Sequence, residues 1–93
     1  MNSSQQAEGM EDCKYAGLFA KQVTRQMRSG ADAQQLIDRY SGTSPVSKST
    51  RGVVNYVYSF KYAENMSGSR IAALTISKCH SKSFGVVKCE DFP

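Results

Sequence analysis

Ninety-three residues with a net charge of +4, 40% hydrophobic and 22% charged, make one globular domain near the small end of what folds alone. That composition excludes a disordered chain, and no stretch approaches the ~18 consecutive apolar residues of a membrane span. Residues 1–41 carry five bases and five acids, and the whole excess lies beyond Gly42, where seven bases meet three acids.

The opening, MNSSQQAEGMED, is polar and lacks an apolar core of its own. It reads as the start of a mature exported chain whose signal peptide is absent, giving a flexible segment at 1–10 before a single domain at 11–93.

The first helix is expected over 11–29. Cys13, Ala16, Phe19, Ala20, Val23 and Met27 recur at helical spacing, acids gather at its start, and Arg25 and Arg28 stand at its end. Gly30 supplies a left-handed stop. A shorter helix over 32–41 follows, with Asp32 and Gln35 as a capping-box pair and Ala33, Leu36, Ile37 and Tyr40 on one face. The tight link makes it pack back across the first helix, and Gly42 ends it.

After the loop TSPVSK, the run RGVVNYVYSFKY fits a strand and a helix about equally well. A strand would need a partner, and only Val86–Cys89 or Ile71–Ile76 offer one. Ser47 and Ser49 supply a helix start, so a helix over 49–62 is expected. A fourth helix over 69–83 is capped by Ser67 or Ser69, buries Ile71, Ala72, Thr75, Ile76 and Cys79, and stops at Gly85. The fold class is therefore all-α, a compact bundle of about four helices with a short tail. The alternative is an α+β domain with strands at 53–62 and 86–90.

Cys13, Cys79 and Cys89 are far apart and form no CxxC pair, so neither a zinc ribbon nor a redox motif is suggested. One disulfide with one free thiol fits an exported protein, whereas three buried thiols would fit a cytosolic one. Cys13 and Cys79 each fall on the apolar face of a predicted helix, and Cys79 can pair with Cys13 or with Cys89 in the tail. Cys79-His80 is a poor nucleophile–base pair, because neighbours on a helix diverge and no acid orients the imidazole. Cys79, His80 and Cys89 match no zinc spacing. No phosphate-loop, dinucleotide, nucleophile-elbow or zinc-protease motif occurs, so no catalytic residue, metal or cofactor is expected. Tyr56, Tyr58 and Tyr62 beside Arg51 and Lys61 could stack single-stranded nucleic acid, but a small core needs them more. The bases Arg51, Lys61, Arg70, Lys78 and Lys82 never form a run, and they make a candidate interaction surface for an acidic partner.

These features resemble a loose group of small bacterial exported proteins. The resemblance lies in Cys13, a first helix ended by Gly30, the short helix Asp32–Tyr40, the segment Val53-Val54-Asn55-Tyr56-Val57-Tyr58, and the late Cys79. It implies a helical periplasmic or secreted domain with a Cys13–Cys79 bridge, and leaves Cys89 as the free thiol. The expected function is non-enzymatic binding of a protein partner, in an envelope, inhibitor or immunity-type role. The alternative is a nucleic-acid-binding module using the basic second half.

Overall fold

A computed structural model describes residues 2–41, 46–85 and 87–93, apart from the side chains of 2–11 and of Cys89. Four helices, α1 (Asn2–Arg28), α2 (Ala33–Ser41), α3 (Lys48–Tyr58) and α4 (Gly68–His80), are followed by a 3-10 turn at Cys89–Asp91, with no strand among the described residues. The chain is an all-α bundle.

The apolar stripe of α1 is buried at Cys13, Ala16, Phe19, Ala20, Val23 and Met27. Its largest interface is with α4, which buries Ile71, Ala72, Thr75 and Cys79. Gly17 makes that packing possible. A Cβ there would lie 2.5 Å from Ile76 Cγ1 and 3.3 Å from the Ala72 carbonyl oxygen, so a side chain would collide with Ile76 and crowd the α4 backbone. Val53, Val54 and Val57 of α3 and Leu36 of α2 complete the core. Burying each such side chain favours folding by about 1.5–3 kcal/mol.

The end of α1 and the starts of α2, α3 and α4 follow their sequence signals. Gly30 takes φ +99°, Ala31 N–H donates to the Gln26 carbonyl, and Gly30 N–H donates to that of Met27, which makes a Schellman stop. The Ser47 and Ser67 side chains accept from Thr50 N–H and Arg70 N–H, capping α3 and α4. Asp32 N–H donates to Gln35 Oε1 at 2.9 Å, one half of the capping box.

Several boundaries differ from expectation. α1 begins at Asn2 rather than near Glu11, since no proline interrupts the polar opening. α3 ends at Tyr58, short of residue 62, and Ser59–Tyr62 form turns. α4 ends at His80, not 83, and the left-handed residues that follow are Lys82 at φ +61° and Gly85 at φ +79°. α2 leans mainly on α3 instead of crossing α1, which it meets through the Phe19–Tyr40 ring contact. The Tyr58 hydroxyl fixes this corner by donating to the Ala31 carbonyl. The expected stop at Gly42 and the strand residue Val86 lie outside the described residues. Residues 53–58 are helical, which excludes the α+β alternative for that segment.

The tail carries more of the core than its polar look suggests. Phe84 and Val87 are buried, and the Phe92 ring sits 5.3 Å from that of Phe19. Ser47 Oγ donates to the Asp91 carbonyl at 2.8 Å, Thr50 Oγ1 donates to the same oxygen, and Ser49 Oγ reaches the Phe84 carbonyl. The start of α3 therefore holds the tail.

Candidate functional site

Antiparallel packing of α1 on α4 brings Cys13 and Cys79 to disulfide distance, with S–S 2.12 Å and Cα–Cα 5.6 Å. Both cysteines are buried, so the pair is a staple rather than an accessible thiol centre. The expected free thiol, that of Cys89, lies outside the described side chains. His80 is exposed on the last turn of α4. No group of three or more His, Cys, Asp or Glu side chains among the described residues is placed to hold a metal ion.

The bases singled out from the sequence are all exposed, but they do not make one compact patch. Arg51 is on α3, Lys61 is in the α3–α4 connection, Arg70 and Lys78 are at opposite ends of α4, and Lys82 lies beyond it. Arg70 and Lys78, eight residues apart, stand about 12 Å apart along the axis. Lys78 Nζ sits 5.2 Å from the Tyr56 ring centre and Lys61 Nζ 5.6 Å from that of Tyr62, both cation–π contacts. The tyrosines do not form a stacking platform. Tyr56 packs edge-on against Phe60 and Phe84, Tyr58 is tethered to Ala31, and of these three Tyr62 alone projects outward, 88% exposed. Burial, and then the nearby charge of Asp32, pushes the Tyr58 phenol above its ordinary range.

A different cationic feature emerges on α1. Lys14, Leu18, Lys21 and Arg25 follow one another at helical spacing and share the face turned away from the core. The three cations are exposed, and Leu18 between them is 53% exposed. Arg28 continues the row but turns inward, donating to the carbonyls of Lys61, Ala63 and Met66 at 3.0–3.2 Å, and so clamps the α3–α4 connection. Leu18, Lys21 and Arg25 form one wall of an open groove of about 490 Å³, and Ser67, Gly68 and Ser69 at the start of α4 form the other.

Charge counting along the chain hides this face. The first forty-one residues are neutral in sum, yet neither Lys14–Arg28 nor Asn65–Cys89 contains a single acid. Those acid-free stretches hold the second half of α1 and all of α4, which pack together, so this part of the helix pair carries Lys14, Lys21, Arg25, Arg28, Arg70 and Lys78, while the carboxylates of α1 (Glu8, Glu11 and Asp12) lie before Lys14. The position of the acids in the sequence was the available signal. No helix among the described residues is long and apolar enough to cross a membrane. No protein-family model matches the chain, and neither does any curated protein or solved structure.

Proposed function

We propose that this chain is a non-enzymatic, exported binding module of the periplasm or the secreted space, acting on a protein partner in an envelope, inhibitor or immunity-type role. The observation that carries the reading is the buried Cys13–Cys79 pair at disulfide distance, since such a bond persists in oxidising compartments and is rare in the cytosol. A binding role draws support from how the buried hydroxyls are used. Thr24, Ser49, Thr50 and Thr75 all donate to backbone carbonyls, which is work of fold maintenance rather than chemistry. The nucleic-acid reading has less support, because Tyr56 and Tyr58 face the core edge and the bases of the second half are dispersed. The test is to fractionate expressing cells, quench thiols with acid, and alkylate before and after reduction. The expected result is oxidised Cys13 and Cys79 in the extracytoplasmic fraction. Three free thiols in a cytosolic fraction would sink the proposal.

A further inference from the structure

We infer that the outer face of α1, with Lys14, Lys21 and Arg25 around Leu18, docks the protein on an anionic lipid surface. The cations lie on one helical row, exposed and spanning about 16 Å from Lys14 to Arg25. Leu18, 53% exposed, and Tyr15, 46% exposed, project on or beside that row. An apolar side chain ringed by cations matches the boundary of an anionic bilayer, where headgroup charge and acyl carbon lie within a few ångströms of each other. A phosphodiester backbone offers the charge but no apolar seat for Leu18. The carboxylates of α1 all precede Lys14, and α4, which flanks the row through Ser67–Ser69, has none. From Lys14 to Arg25 the row therefore carries no carboxylate, and Glu11, one turn before Lys14 on the same row, bounds the cationic face.

The proposal extends the envelope reading by naming a surface, and it is measured on the purified, oxidised full chain whatever compartment holds it. Binding to sedimented vesicles of phosphatidylglycerol is compared with binding to vesicles of phosphatidylcholine, at low and at high salt. Binding is expected to the anionic vesicles alone and to weaken with salt. The double variant Lys21→Gln/Arg25→Gln should bind roughly 25-fold more weakly, about fivefold per charge. Arg51→Gln/Lys82→Gln removes the same charge elsewhere and should change binding by less than about threefold if the face is specific. Leu18→Ser, at an exposed site and with circular dichroism expected to match the wild type, should weaken binding at constant charge. Equal loss from both double variants, indifference to Leu18→Ser, no vesicle binding, or tighter binding to a duplex oligonucleotide than to the anionic vesicles would each overturn the inference.

Discussion

Opening the Cys13–Cys79 pair is the most telling single perturbation of this molecule. The two residues are 66 positions apart, so a bond between them closes most of the chain into one loop. In the chain-entropy account, a loop of that length removes about 15 cal/mol/K from the unfolded ensemble, or about 4 kcal/mol at 25 °C. A domain of this size has a total stability of about 5–14 kcal/mol, so the bond contributes a large share. With an unfolding entropy of about 0.2 kcal/mol/K, the melting midpoint should fall by roughly 20 °C on reduction. Far-UV thermal melts of the oxidised and reduced protein measure this. Thiol titration of the denatured, unreduced chain checks the state, with one free thiol expected. Cys13→Ser/Cys79→Ser separates the cross-link from chemical effects of the reductant and should melt close to the reduced wild type. A titration of three thiols would refute the bond. One thiol together with a midpoint shift of only a few degrees would refute the entropy argument.

Three further outcomes are expected. Arg28→Ala removes three donated hydrogen bonds from an exposed side chain, should cost about 1–2 kcal/mol in urea unfolding, and should speed hydrogen exchange in the α3–α4 connection; Arg28→Lys should not restore it, because a lysine cannot fork to three carbonyls. Gly17→Ala should destabilise by about 1–2 kcal/mol despite the better helix propensity of alanine, since its Cβ would meet Ile76 Cγ1 at 2.5 Å; pairing it with Ile76→Ala should recover part of the loss, and a stabilised single variant would contradict the close approach. The raised Tyr58 phenol keeps its proton when the unfolded chain has lost it, so the stability it contributes is complete below about pH 10 and declines as pH rises through the folded value. Tyr58→Phe should flatten that alkaline decline, read from denaturant midpoints across pH, and should cost about 1 kcal/mol at neutral pH through loss of the bond to Ala31.

The helices that bury a clean stripe were legible from the sequence. Cys13 through Met27 on α1 and Ile71 through Cys79 on α4 repeat every three or four residues, and each repeat is buried or half-buried. Val53, Val54 and Val57 lay in a run that fits a strand and a helix about equally well, and the serines at 47 and 49 together with the scarcity of partner strands decided for a helix. The burial of the tail was not legible, because Phe84, Val87 and Phe92 are separated by polar residues and show no period, so only tertiary contact reveals it. Gly17 was equally opaque, since a close backbone approach leaves no trace in a single chain beyond the glycine itself. The cationic face escaped notice because net charge was summed along the sequence, whereas the packing of α1 on α4 joins its two acid-free stretches.

The placement of the cysteines also governs the order in which they oxidise. Cys79 and Cys89 are ten residues apart, against 66 for the native pair, and loop closure favours the shorter contact in an unfolded chain by roughly 17-fold. Oxidation ahead of folding therefore traps the local pair first, and the native bond then requires thiol exchange, with the displaced Cys89 as leaving group. Oxidation after α1 has docked on α4 avoids that detour, because burial has already selected Cys13 as the neighbour of Cys79. In an oxidising compartment, the competition between helix docking and thiol chemistry would decide whether the chain matures in seconds or waits on thiol exchange.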